Sequence, residues 1–377
     1  MYKILAINPG STSTKIAVYE DENLIFKYSI DHPTEELEKY PSIYDQYEMR
    51  YKTIISSLEE NNINIEELNI IVGRGGPVAP LKSGAYLVDE LLANKLRNDP
   101  LVHHASNLGG IIAYELGKKL GIDAIIYDAV STDELEDIAR LSGLKEIQRK
   151  SLVHTLNMRA SAIKVAKSLG KSYYDLNLIV AHLGGGLTIS VHKKGRMVDI
   201  VSDDEGSFSP ERAGGLPSAA LMEFCYKNDK ATVSKLLRGR GGLVSYLGTN
   251  DAREVEKMIE NNDEYAKLVY EALAYQVAKS IGQLAPVVDG EVDAIIITGG
   301  MAYSKLLTEW IVKRVKFISQ VIIVPGENEL ESLAMGGLRV LRGEEKVNRF
   351  QVDKNRTVVN TKVLFLLLES YIVEYSL

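Results

Sequence analysis

Apolar residues open this chain in short alternating runs. Residues 3–30, KILAINPGSTSTKIAVYEDENLIFKYSI, read as an apolar strand, a Gly/Ser/Thr turn, a second strand and a third. The same grammar returns at 178–201, LIVAHLGGGLTISVHKKGRMVDIV. In both, β-branched and polar positions alternate on either side of a small-residue turn, as hairpins require. Each copy later supplies an apolar run that ends in glycines, NIIVGRGG at 69–76 and DAIIITGGMA at 293–302. Segments with apolar residues at three- and four-residue spacing, such as 264–285, predict helices between the strands. The duplication predicts an α/β protein of two similar domains facing a cleft.

No Pro- or Ser-rich linker separates the copies, so the repeat alone sets the boundary. It predicts an N-terminal α/β domain over 1–150 and a C-terminal one over 151–329. The stretch 325–343, PGENELESLAMGGLRVLRG, reads as a strand end, a loop and a helix at about 330–343 that packs back on the first domain. The character changes after Gly343, and 344–377 reads as an extension of unknown role. Its VLFLLL run is far too short to span a bilayer.

Composition narrows the function. The 377 residues suffice for two domains, and 45% hydrophobic with 25% charged residues is ordinary for a globular chain. A net charge of −7 with no long basic stripe argues against a nucleic-acid partner. A single cysteine, Cys225, excludes an intrachain disulfide and a cysteine-held metal. The opening MYKILAINPG reads as a strand, not a signal peptide, and the expected setting is the cytoplasm with no membrane partner.

An acidic chain with anionic substrates must concentrate its few cations, which directs attention to the glycine-lined loops. In NPGSTSTK, Gly10 permits a tight turn, and Ser11, Thr12, Ser13 and Thr14 offer hydroxyls and closely spaced N–H groups suited to phosphate. The stretch lacks the G-x-x-x-x-G-K-[ST] pattern, so it is no P-loop, and an ordinary Ser/Thr-rich turn is the alternative. In HLGGG, Gly184, Gly185 and Gly186 lose backbone entropy and give no packing, which implies close approach of another group. Phosphate fits there and His182 could add a donor; a glycine bulge is the plain reading. Gly299, Gly300 and Met301 follow the strand IIIT and precede a helix, a common place for a nucleotide.

Arg74 and Arg212 lie among glycines and turns, where a guanidinium can take phosphate or carboxylate by paired hydrogen bonds; a solvated arginine is the alternative. Arg238 and Arg240 read as part of a mobile loop. His103, His104, His154 and His182 lack metal-helix spacing. Asp128 at a strand end, and Asn328, Glu329 and Glu331 in a loop, offer hard oxygen ligands, with helix capping the alternative for Asn328.

In order, INPGSTSTKIAVY, VGRGG, HHASN, YDAVSTDEL, RKSLVH, VAHLGGG, GSFSPERAGGLP, GRGGLVSYLGTND, ITGGMA and PGENE span most of the chain up to Gly343. The set resembles the acetate and butyrate kinase family, within the group of sugar kinases, actin and the heat-shock ATPases, and looks like its butyrate branch. The resemblance implies two actin-like, ribonuclease H-like domains on a nucleotide cleft, ATP and Mg²⁺ as cofactors, a short-chain carboxylate as substrate and a homo-oligomer. It implies the reaction butanoate + ATP = butanoyl phosphate + ADP by direct in-line transfer. Branched-chain, acetate or propionate kinases are alternatives, and a sugar kinase or a silent actin-like ATP-binding protein more distant ones. Asn8, Arg74, His154, Arg212 and, more loosely, His104 match the family's catalytic positions. Asp128 and Glu329 match its acidic pair near magnesium, with Glu331 an alternative register. The loops around Ser11, Gly185 and Gly300 match its phosphate and adenosine motifs. Acetate kinases carry Gly-Asn-Gly where this chain has Gly184, Gly185 and Gly186, and they carry more sequence, which favours the butyrate or branched-chain side.

Overall fold

The computed structural model describes residues 1–351. They form two compact units, Met1–Thr132 with the segment from Asn328 on, and Asp133–Glu327. The units divide between Thr132 and Asp133, ahead of the boundary expected near 150, and the helix Glu329–Leu341 belongs to unit 1. Of the extension expected over 344–377, Val347–Arg349 is a short strand. The part from 352 on, VLFLLL included, lies outside the described residues.

In unit 1, β1 (Lys3–Pro9), β2 (Ser13–Glu20) and β3 (Asn23–Asp31) form an antiparallel meander. β4 (Ile70–Arg74) adds parallel to β1, and β6 (Asp123–Tyr127) parallel to β4. β5 (Ala85–Leu87) and Val347–Arg349 extend the sheet at the β6 edge. Unit 2 repeats the order. β7 (Asn177–Leu183), β8 (Leu187–Lys193) and β9 (Arg196–Val201) form the meander. β10 (Ala294–Gly299) lies parallel to β7 and β11 (Val321–Pro325) parallel to β10. The order β3-β2-β1-β4-β6 thus recurs as β9-β8-β7-β10-β11. Both outer strand pairs even slip register at matching places, after Val18 and after Val191.

Period-two packing explains why the strands read so clearly. Ile179, Ala181 and Leu183 of β7 enter one core, while Leu178 and Val180 enter another on the opposite face. Each such buried aliphatic side chain stabilises the fold by roughly 1.5–3 kcal/mol. In unit 1, helix Ser106–Leu120 lies close on β4 because glycine meets glycine. A Cβ on Gly73 would stand 2.2 Å from the Gly109 carbonyl oxygen. Among the described residues, no helix is long and apolar enough to cross a membrane.

Candidate functional site

The expected residues gather in two groups, one in each unit. In unit 1, Ile7 pairs with Gly73, which sets Asn8 beside Arg74 at the C-terminal ends of β1 and β4. Glu329, first residue of the helix Glu329–Leu341, meets both. Its Oε1 is ion-paired with Arg74 Nη1, and its Oε2 accepts from Asn8 Nδ2 at 2.6 Å. Burial pushes the Glu329 carboxyl up, but the charge and hydrogen bond of Arg74, with Asn8, outweigh it and hold the group below its ordinary value. Arg74 is not fully spent: its buried Nε has no hydrogen-bond partner among the described residues.

His104 precedes the helix Ser106–Leu120, and its Nδ1 lies 2.7 Å from Ser106 Oγ. Burial, then the charges of Arg74 and Arg50, push its imidazole down to about 4, so it is neutral at pH 7. It can therefore offer a hydrogen bond but not a charge.

Asp128, expected beside Glu329 as a metal ligand, is buried just past β6, and its Oδ1 accepts from the Gly84 N–H at 2.7 Å. Asn328 occupies the N-cap position of its helix without a side-chain capping bond, and Glu331 lies in the first turn. The donors suit a hard cation. Glu329 spends one hydrogen bond on each oxygen, and a carboxylate oxygen has two lone pairs. Among the described residues no three His, Cys, Asp or Glu side chains cluster as a metal cage.

The first glycine turn is tied from within. Gly10 N–H donates to Ser13 O at 2.7 Å, and Ser11, Thr12 and Ser13 reach the surface in varying degree. Thr14 departs from expectation. It is fully buried, and its hydroxyl lies 2.9 Å from Arg50 Nη1 and 2.8 Å from His32 Nε2, so it faces inward rather than toward a ligand. Arg50 is the residue that sequence reading passed over. The available signal was a lone cation on the buried stripe of the helix Tyr47–Glu60, which also carries Ile54, Ser57 and Leu58.

In unit 2 the second turn, Gly184 to Gly186, is packed by side chains of its own chain. A Cβ on Gly186 would lie 2.7 Å from Arg212 Nη1 and 2.8 Å from its Cζ, so the close approach at Gly186 is made by a guanidinium. Ser209 locks the two segments together: its Oγ donates to Gly185 O at 2.6 Å and accepts from Arg212 N–H at 3.1 Å. Asp203, almost fully buried, pairs with both Arg212 and Arg238. Arg238 also pairs with Asp204 at 2.5 Å, so it is a half-buried part of this cluster and not the mobile-loop cation expected.

His154 stands at the start of the helix Thr155–Ser168 and stacks on His182, ring centroids 4.0 Å apart at 14°. Its Nδ1 lies 3.0 Å from Thr188 Oγ1. Asn157 Nδ2 lies 2.8 Å from His182 Nδ1, and His182 Nε2 lies 3.1 Å from Glu327 Oε1. With the amide donating to Nδ1, the ring proton sits on Nε2 and faces the carboxylate. The third loop begins with Gly299 at φ +94, and a Cβ on Gly300 would meet open space. Met301 instead buries its side chain in the core.

Comparison with known proteins sets these groups in context. A sequence profile of the Acetokinase family matches residues 145–344, more than half of the chain. The chain belongs to the Acetokinase family. Similar folds occur in many solved structures, among them three kinases of carboxylic acids. Acetate kinase from Porphyromonas gingivalis is 20% identical, covers 90% of this chain and 100% of its own, and superposes with a TM-score of 0.74. Acetate kinase from Entamoeba histolytica is 18% identical over 89% of this chain and 98% of its own, with a TM-score of 0.71. Propionate kinase from Francisella tularensis is 18% identical over 89% and 99%, with a TM-score of 0.69. The two-sheet α/β architecture is the actin-like fold of these kinases. This member of the Acetokinase family is therefore a kinase of the ATP-using, carboxyl-acceptor type.

Proposed function

We propose that this chain is a butyrate kinase, transferring the ATP γ-phosphoryl group directly to butanoate and back. The observation that carries the reading is Arg74: a strand-end guanidinium, oriented by Glu329, itself held by Asn8, that keeps a buried Nε–H unspent. Such a group suits an incoming carboxylate or phosphoryl oxygen. Three consecutive glycines, the last of them against Arg212, where acetate kinases resemble one another in Gly-Asn-Gly, support the butyrate side.

The chemistry asks little of the side chains as nucleophiles or bases. The acid is already ionised at neutral pH, and phosphoryl transfer depends on alignment and charge neutralisation. Two like unit charges 4 Å apart repel by about 4 kcal/mol at an effective dielectric of about 20, and fixed guanidinium groups offset that cost. On this reading Arg74 orients the carboxylate, and Arg212 and His154 neutralise equatorial oxygens. Asn8 and neutral His104 donate hydrogen bonds near the phosphoryl group. The N–H groups of the first and second loops and of Gly299 and Gly300 hold the nucleotide. Asp128 and Glu329 would hold Mg²⁺, which supplies charge neutralisation at the phosphate oxygens when bound.

A kcat/KM series from acetate through propionate and butyrate to isovalerate, with Mg²⁺-ATP and hydroxamate trapping of acyl phosphate, tests the reading. The expected maximum is butyrate. A maximum at acetate or propionate would overturn the chain-length assignment and keep the carboxyl chemistry. Sugar phosphate formation without acyl phosphate would overturn both.

A further inference from the structure

Arg50 is fully buried, yet its guanidinium meets backbone rather than an acid. Nη1 donates to Gly10 O at 2.9 Å, Ser13 O at 3.0 Å and Thr14 Oγ1 at 2.9 Å, and Nη2 donates to Ser11 O at 2.9 Å. Gln46, one helical turn earlier, steadies the fork from behind, its Oε1 3.1 Å from Nε and 2.9 Å from Nη2. Among the described residues no carboxylate pairs with it. A buried charge neutralised only by dipoles is costly, so its retention calls for a reason.

We propose that Arg50 is the positioning residue of the first loop, shaping the turn at Gly10 to Ser13 into a site for a phosphoryl group. A trans peptide is planar, with its C=O and N–H pointing in opposite directions. A carbonyl drawn inward to Arg50 therefore turns the next N–H outward. The Gly10 carbonyl aims the Ser11 N–H, and the Ser11 carbonyl aims the Thr12 N–H. Two successive outward N–H groups above a buried positive charge form an anion nest. Only a planar fork can gather three carbonyls and a hydroxyl at once, so lysine would keep the charge and lose the shape. The phosphoryl identity rests on the function proposed above, whereas the anion preference follows from the loop itself.

Two measurements test this. In the ¹⁵N-labelled wild-type chain, the Ser11 and Thr12 amide resonances should move on titration with inorganic phosphate or Mg²⁺-ATP. In Arg50→Met, which keeps bulk and loses the fork, kcat/KM for ATP should fall by about 100-fold, the scale of losing oriented N–H donors. In Arg50→Ala, added guanidinium but not ammonium should restore part of the activity together with the phosphate-induced shifts of the Ser11 and Thr12 amides. A folded Arg50→Met variant with near wild-type kcat/KM would overturn the proposal. Unmoved Ser11 and Thr12 amides at saturating ligand would do so too, and that titration decides alone if the variants do not fold. Should wild type phosphorylate no carboxylate while its amides still respond to phosphate, the butyrate reading falls and the role of Arg50 stands.

Discussion

The β1–β2 and β7–β8 hairpins share strand order, pairing and a small-residue turn, yet they are held in opposite ways. The first turn rests on a buried arginine from a neighbouring helix, which takes its carbonyls from below. The second has no hydroxyl-bearing residues between its strands and takes Arg212 directly against Gly186. In the first copy the cation shapes the backbone, and the backbone is what a ligand would touch. In the second Gly186 clears room so that the cation itself stands at the loop. One duplicated frame thus places positive charge at two turns by two routes, one through peptide dipoles and one through a side chain.

The sharpest way to break that contrast is Arg212→Ala. If the second turn serves its arginine, kcat should fall by about 100- to 1,000-fold with ATP affinity little changed, as for loss of a group engaged in the transition state. Turnover near wild type would show that Arg212 only packs the loop. A smaller effect separates the glycines. Gly186→Val must displace the guanidinium and should lower kcat by about 10-fold or more. Gly185→Ala meets only the Glu211 carboxylate tip, at 3.2 Å, and should change it little. Equal losses in the two variants would mean that the whole loop needs flexibility rather than room at one position.

The smallest effect concerns acid stability, where each hairpin has a buried histidine. His32 touches Thr14 below the first turn, and burial followed by the Arg50 charge pushes it down to about 4. His192 on β8 lies between Tyr173 Oη and Ser190 Oγ, and burial followed by the Arg159 charge pushes it down to about 3. Both fall below the ordinary value of about 6.5, so the unfolded chain binds more protons between those limits. Their stabilising contribution is whole above about pH 6.5 and declines as pH falls toward 4 and 3, by at most about 1.4 kcal/mol per pH unit for each group. Denaturant midpoints measured between pH 7 and 4.5 should show a shallower slope in His192→Gln than in wild type. The difference should be smaller for His32→Gln, since His32 is less deeply enclosed. Parallel slopes in all three proteins would refute both assignments.

Much of this frame was readable from the chain. Alternation in KILAINP and LIVAHL survives because each strand side packs a different set of partners, and glycines such as Gly73 and Gly186 stand where something does approach them. Arg74 and Glu329 were legible as charges but not as a pair, because 255 positions separate them and only the β1–β4 register brings the strand ends to that helix. Arg50 was hidden because helix patterning sorts residues by hydrophobicity, whereas its burial depends on carbonyls contributed by a distant turn. Thr14 misled for the related reason that composition says nothing of which side of a strand end a hydroxyl takes. The edge pairing of Ala85–Leu87 with Val347–Arg349 joins two three-residue runs too short to carry a period.

The placement of Glu329 also has a consequence for biosynthesis. Unit 2 is one uninterrupted stretch, Asp133–Glu327, whereas unit 1 resumes only at Asn328. All of unit 2 therefore leaves the ribosome before the helix that presses Gly337 against Val72 and Ile4 and that delivers the acid clamping Arg74. During translation the sheet that begins at Lys3 waits, one face uncovered, until all of unit 2 has been made, and its strand-end arginine acquires its partner only after that.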